Sequence, residues 1–341
     1  MNVLIDVLLT VLVFAVIIII HEGGHFLMAR LMGIRVNEFA AGMGPKLFSR
    51  KRGDTVYSLR AFPIGGFCAM EGEQDDSTDE NAFCNKPVWR RILVVAAGAL
   101  MNLLLGFLII LVMTITTPQL ESKTVSAVGE QSAVAAAGLQ PGDILDSVNG
   151  NKLFIANDFL TELSRSDNGI ATVGIWRDGE YMELKDIDFT VEEDGVKKLY
   201  VGFSVYEPEK NPFSVLGYAA GWTVSTGRLI FSSLIDLFSG KYSITVFSGP
   251  VGTSAVISQV RQTGMRNFFF LVAFMTINVG LFNLLPIPAL DGGRLVFLLI
   301  EAVRRKPVNP KYENAIHLVS FFLLLGFIVL ITYNDILKLF T

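Results

Sequence analysis

The chain alternates between long stretches nearly free of polar positions and stretches where polar and apolar residues change every one or two positions. Four apolar runs stand out, at residues 3 to about 28, 92 to about 116, 268–290 and about 316–331. Crossing a bilayer core takes about 20 apolar residues in a helix. The runs therefore predict transmembrane helices within 1–30, 91–117, 267–302 and 314–336. The first run is broken only by Asp6, Thr10 and a polar cluster at 21–25. The third runs into Pro286, Pro288 and then Asp291-Gly292-Gly293-Arg294. Irregular backbone at membrane depth is tolerated only where protein or a water-filled cavity surrounds it, so this break marks a site. Segment 213–238 is moderately apolar but carries Arg228 and Asp236, with Gly217, Gly221, Ser225 and Gly227 interspersed. It is read, within 212–262, as amphipathic helices at the membrane surface, with a fifth span as the alternative.

The polar stretches carry β patterns. Residues 55–61 and 67–70 are strand-like and flank Phe62-Pro63-Ile64-Gly65-Gly66, which predicts a hairpin with an apolar tip beside the membrane, within 31–90. The acidic run 71–80 reads as a solvated loop. Further on, 132–137 is a short helical run ended by Gly138, and Pro141-Gly142 marks a turn before a strand at 144–148. Asn149-Gly150 is a strong hairpin signal. A helix near 158–164, a strand at 172–177 and a turn at Asp178-Gly179 complete the pattern. This order, with Ala137-Gly138-Leu139-Gln140-Pro141-Gly142-Asp143-Ile144-Leu145, resembles a PDZ domain of the kind appended to bacterial proteases. That resemblance implies a module at 120–206 able to bind an extended peptide or chain end by strand addition.

Composition supports the membrane reading: 51% of the 341 residues are hydrophobic, the mean hydropathy is positive, and several long apolar runs lack charge. Basic residues cluster between the first two spans, from Arg30 to Arg91, and between the last two, at Arg304, Arg305, Lys306 and Lys311, whereas the N-terminal stub has none and the C-terminal tail only Lys338. The positive-inside rule then puts both segments in the cytoplasm, and both termini and 120–206 outside. A cleaved signal peptide fits poorly, since the start is not basic and no small-residue cleavage site follows. Cys68 and Cys84 have no ligand spacing, which argues against a disulfide framework or a thiolate zinc site. No basic cluster is interleaved with aromatics, so nucleic-acid binding is not expected.

The candidate chemistry lies in the polar breaks. His21-Glu22-Gly23-Gly24-His25 is an H-E-x-x-H sequence, which on a helix puts two imidazoles one turn apart on one face, within reach of one zinc ion. Glu22 is then placed to act as general base toward a metal-bound water. Only three histidines occur in the chain, and titratable groups inside an apolar span are costly and usually functional. Catalytic zinc takes three protein ligands and leaves a fourth position for water. Asp291, the only carboxylate between Asp236 and Glu301, is the candidate third ligand, with Gly292 and Gly293 expected to let the backbone bend. His317 reads as an interfacial polar residue. Asn102, amid apolar neighbours, is either a helix–helix hydrogen bond or part of the site.

Asn283-Leu284-Leu285-Pro286-Ile287-Pro288-Ala289-Leu290-Asp291-Gly292 resembles the N-x-x-P-x-P-x-L-D-G signature of the site-2 protease family, and His21–His25 resembles that family's zinc motif. The similarity extends to the Gly65-Gly66 segment, Asn102, a single PDZ module and Ser248-Gly249-Pro250-Val251-Gly252. It is greatest to the bacterial branch that processes anti-sigma factors and remnant signal peptides. The resemblance implies a polytopic α-helical membrane protein of about four spans, with a cytoplasmic membrane-associated β-hairpin and one extracytoplasmic PDZ domain. It implies an intramembrane zinc metalloendopeptidase of the inner or plasma membrane, acting on transmembrane substrates. His21, His25 and Asp291 would hold Zn2+ and Glu22 would be the base. Asn283 would hold unwound substrate or polarise its carbonyl, while Pro286, Pro288, Gly65 and Gly66 would shape its binding. Gly23 departs from the family, whose members often carry a bulky residue there; two adjacent glycines loosen a helix by up to about 2 kcal/mol relative to alanines. Two other classes fit less well. A metal transporter predicts more polar residues along the remaining spans, and a silent PDZ adaptor predicts loss of Glu22 or a ligand.

Overall fold

A computed structural model describes residues 3–73, 76–193, 196–240 and 249–338. Ser248 and the rest of 241–248, part of the expected surface-helix segment, lie outside the described residues. In chain order the elements are α1 (Val3–Leu31), β1 (Val36–Arg52), β2 (Thr55–Met70), α2 (Val88–Thr116), β3 (Val125–Val128), α3 (Ala133–Ala136), β4 (Ile144–Val148), β5 (Asn151–Lys152), α4 (Asp158–Ser164), β6 (Ile170–Arg177), β7 (Glu180–Asp188), β8 (Thr190–Glu193), β9 (Val196–Leu199), β10 (Phe203–Val205), α5 (Pro212–Phe238), α6 (Pro250–Gln262), α7 (Met265–Leu284), α8 (Asp291–Arg304) and α9 (Pro310–Leu337). They fall into two compact units, 1–109 with 230–341, and 110–229.

Among the described residues, four helices are long and apolar enough to cross a membrane: Ile5–Leu31, Val88–Thr116, Met265–Leu284 and Lys311–Leu337. The protein is thus a membrane protein with a separate β-rich region. Helix boundaries follow local chemistry. Gly33, at φ +70, closes α1 while the Ile34 N–H donates to the Ala29 carbonyl at 2.8 Å, a glycine-dependent stop. Asn309 caps α9 by accepting the Lys311 N–H, with Pro310 in the first turn, where a missing N–H costs nothing. The chain leaves α7 at Leu284 and resumes helix only at Asp291. Pro286 and Pro288 have no N–H to continue the ladder.

Two buried carboxylates of the apolar helices are paired. Asp6, 4% exposed, accepts the Ser258 hydroxyl at 2.7 Å and meets Arg261 at 2.9 Å. The Asp335 carboxylate accepts the Gly252 N–H at 2.8 Å. Two apolar clusters hold this unit: Val13, Ile17, Ile257, Phe268 and Met275 in one, and Ala29, Ile34, Val36, Phe83, Val94 and Leu298 among the other.

The hairpin differs from the sequence expectation. Segments 55–61 and 67–70 do not pair with each other; both belong to the long strand β2, and β1 is the partner of each. Ala41 faces Gly66 on one side and Leu59 on the other, and Phe39 faces Cys68 and Tyr57 likewise. Residues 46–52, 55–60, 36–41 and 66–70 therefore lie side by side in that order. The tight turn is at Gly53, φ +60, rather than at 62–66. The sheet packs on α1 through Phe26, whose ring centroid is 5.2 Å from Phe39 and 5.9 Å from Tyr57. Segment 66–70 is an edge, with no strand on its outer side among the described residues.

The second unit contains a four-stranded sheet ordered β5-β4-β6-β7 and the pairs β3–β10 and β8–β9. Asn149 and Gly150 take φ +49 and +78, the two left-handed positions a type I′ hairpin needs. The core is built on Phe159, Leu145, Leu163, Ile175 and Phe189. Within this unit, Arg228 of α5 meets Glu162 at 3.0 Å, and Ser225 hydrogen bonds Asp158.

Candidate metal centre

His21 and His25 are successive-turn residues of α1, both about nine-tenths buried, and their rings meet edge to face at 4.9 Å. Their Nε2 atoms are 3.3 Å apart. His25 Nδ1 is 2.9 Å from the Val94 carbonyl, so Nδ1 carries the proton and the Nε2 lone pair is free. His21 Nδ1 is 3.4 Å from the Asn102 side-chain amide, whose Oδ1 is buried and otherwise unpartnered. With the amide turned to present Oδ1, Asn102 accepts from His21 Nδ1–H, and both histidines offer Nε2. Asn102 thus belongs to the site, and its backbone carbonyl also accepts the Thr276 hydroxyl of α7 at 3.2 Å.

The rings fit because α2 approaches without side chains. A Cβ on Gly98 would overlap His25 Nε2 and lie 2.9 Å from His21 Cε1, and one on Gly24 would strike the Ala97 backbone. Gly23 is different: nothing lies within 4 Å of its would-be Cβ. The second glycine of H-E-G-G-H is required by packing, and the first is not.

Asp291 opens α8, and its Oδ2 is 3.1 Å from His21 Nε2 and 3.3 Å from His25 Nε2. Gly292 and Gly293 do not serve as a hinge; neither has positive φ. Their Cβ atoms would collide with the Leu284–Leu285 and Ile287–Pro288 backbone, so they allow the 285–290 loop to fold back onto the start of α8. Three donor atoms held at about 2.0–2.1 Å by one tetrahedral ion stand about 3.3 Å apart. The observed 3.1–3.3 Å fits that, and Asp291 Oδ2 is buried without a hydrogen-bond donor of its own. Two imidazoles and a carboxylate are also a donor set suited to zinc.

A cavity of about 590 Å³ opens beside these atoms, lined by Glu22, Cys68, Met70, Glu73 and Arg294 among others. Edge 66–70 forms one wall. The Met70 N–H of this edge donates to Glu73 at 3.1 Å. Gly66 lies against Glu22, its would-be Cβ 3.5 Å from Glu22 Cγ. Arg294 ties α8 to this wall through the Glu73 carboxylate and, at 2.7 Å, the Glu73 carbonyl. Burial pushes the Cys68 thiol well above its ordinary range, with Glu22 and Glu73 adding to the shift, so it stays a neutral wall residue.

The other proposed substrate residues are elsewhere. Asn283 donates to the Val279 carbonyl at 3.0 Å, and neither it nor Gly65, Pro286 or Pro288 is part of the cavity wall. His317 is more than an interfacial residue, since its Nδ1 accepts the Ala289 N–H at 2.9 Å.

Residues 9–327 match the profile of peptidase family M50. The chain belongs to that family. Among its relatives, a zinc metalloprotease RasP of Shouchella clausii is 31% identical over 96% of this chain and 98% of its own. The regulator of sigma-W protease RasP of Bacillus subtilis is 30% identical over 97% and 98%, and a putative zinc metalloprotease of Clostridium perfringens is 35% identical over 97% and 98%. The protein is accordingly a zinc metalloprotease of the site-2 protease family, which sets aside the transporter and adaptor alternatives.

Proposed function

We propose that the protein hydrolyses peptide bonds within transmembrane segments of other membrane proteins. His21 Nε2, His25 Nε2 and Asp291 Oδ2 would hold the zinc, and Glu22 would be the general base. The observation that carries this reading is the convergence of those three atoms beside Glu22, on a cavity walled by a strand edge. Zinc bound there would supply Lewis-acid polarisation of the scissile carbonyl and a more acidic water. Glu22 takes the proton of the attacking water on its carboxylate and delivers it to the leaving amide nitrogen.

A helical substrate hides its carbonyls in its own hydrogen bonds, so it must unwind before cleavage. Edge 66–70, with no strand on its outer side among the described residues, offers a place for the unwound segment to add as a strand, which would deliver its backbone past Glu22. The positive-inside rule, applied to the basic loops, supports an active site facing the cytoplasm. Module 120–206 is then a PDZ domain on the outer side, screening substrates by the bulk of their external domains. The Bacillus subtilis relative is named for regulating sigma-W; by analogy the substrates here are anti-sigma factors or remnant signal peptides. Cleaving a tagged single-span protein and sequencing the new ends tests the reading. Ends inside the span are expected, and ends only in its soluble flanks would refute it.

A further inference from the structure

His317 is the third histidine of the chain, and the chemistry above does not use it. It lies in the third turn of α9, 26 residues after Asp291 in the sequence. Its Nδ1 accepts the Ala289 N–H at 2.9 Å, and its ring stands 5.6 Å from that of Phe297 on α8. Ala289 has φ +78, a left-handed conformation that a Cβ disfavours and that persists only when surroundings hold it. The other non-glycine residues with positive φ among the described residues are Asn, Asp or Arg.

The amides of the loop show what holds it. Pro286 and Pro288 have none. Leu285 N–H donates back to Phe282 in the last turn of α7, while Ile287 N–H donates to Leu285 and Leu290 N–H to Ile287 within the loop. Ala289 N–H is the one of these that reaches a residue distant in sequence. Asp291 begins two residues later, and the start of α8 has no side-chain cap of its own, Leu290 being the N-cap residue.

We propose that His317 is a positioning residue for the metal centre: by accepting the Ala289 N–H it holds the 285–290 loop in the left-handed bend that delivers Asp291 to His21 and His25. The inference rests on reading Asp291 as a metal ligand. To accept at Nδ1, the ring carries its proton on Nε2. Losing the acceptor frees Ala289 to return to the ordinary φ range, which swings the first turn of α8 away from α1.

The test is zinc retention by the purified full-length protein against a competing chelator. His317→Phe keeps an aromatic ring but removes the acceptor, and a loss of about 10–100-fold in zinc affinity is expected, the range found when a partner that orients a ligand is removed. His317→Asn keeps an acceptor at nearly the same position and should retain zinc. The decisive variant is His317→Phe combined with Ala289→Gly. Glycine takes positive φ without penalty, so the loss should shrink to within about threefold of the Ala289→Gly protein alone. Unchanged zinc affinity in His317→Phe would overturn the proposal. So would an equal loss with and without Ala289→Gly, which would mean that His317 merely stabilises the bundle. Unchanged affinity in Asp291→Asn would instead remove the ligand assignment, and the proposal with it.

Discussion

The side-chain amide of Asn102 lies 3.4 Å from Nδ1 of His21, bringing a residue of α2 to the imidazole of α1 on the side away from Asp291. Val94 does the same for His25, at 2.9 Å. Each histidine thus has one nitrogen directed to α2 and the other to Asp291, so the α1–α2 packing sets the tautomers of both.

Asn102→Leu should weaken zinc binding by about tenfold, since the His21 Nδ1–H loses its acceptor in a buried place. Asn102→Asp should preserve it. Chelator competition measures both, and equal zinc affinity in Asn102→Leu and the parent would show that the amide does not orient His21.

The glycines of this packing separate sharply. Gly98→Ala should abolish zinc retention, because its Cβ would occupy the place of the His25 imidazole; overpacking costs about 1–3 kcal/mol and here the yielding atoms are the ligands. Gly23→Ala, with open space at its Cβ, should keep zinc and stabilise α1 by up to about 1 kcal/mol. Thermal unfolding of the two variants with zinc analysis distinguishes them, and a zinc-free Gly23→Ala protein would contradict the packing account.

Arg294 joins the helix carrying Asp291 to the wall carrying edge 66–70, through Glu73. Arg294→Ala should destabilise that junction by about 1–2 kcal/mol and raise KM more than it lowers kcat, if the wall receives substrate. Glu73→Gln keeps the Arg294 bond to the Glu73 carbonyl and should do less. Kinetics on a single-span substrate decide the matter, with equal effects of the two substitutions speaking against the account.

The hairpin carries its own pH dependence. Partial burial by itself pushes the Glu38 carboxyl up, but hydrogen bonds from Ser58, Arg60 and Lys46 outweigh that and hold it at about 2, below its ordinary 4.5. A carboxyl with a depressed folded value stabilises the fold above the unfolded value, and that contribution is lost as pH falls through the folded one. The β1–β2 sheet should therefore loosen between about pH 4.5 and 2, while Glu38→Gln should already be loosened at neutral pH and vary little over that range. Amide hydrogen exchange across 36–70 reads this directly, and identical pH profiles for the two proteins would refute it.

The chemistry of the site was legible because it is local. His21, Glu22 and His25 lie within five residues, and Asp291 lies in a motif interrupting an apolar run, where a carboxylate has few bland explanations. The four spans were legible for the same reason, as hydropathy is additive along the chain. What escaped depends on distant partners. Nothing local in 36–52, rich in Gly, Lys and Arg, announces a strand, yet it pairs with both halves of β2. Gly292 and Gly293 looked like hinges because their close neighbours in the folded-back loop are not evident from sequence. His317 looked interfacial because its partner, Ala289, is on another helix–loop segment, and Asn102 could not be assigned because its partner is 81 residues away.

The most direct measurement is cleavage of a tagged single-span substrate reconstituted with the protein or with its Glu22→Gln form, zinc being assayed on the same samples. Zinc near one per chain in both, with a cut inside the span only from the unaltered protein, is the expected result. Cleavage that survives Glu22→Gln would contradict the mechanism at its centre.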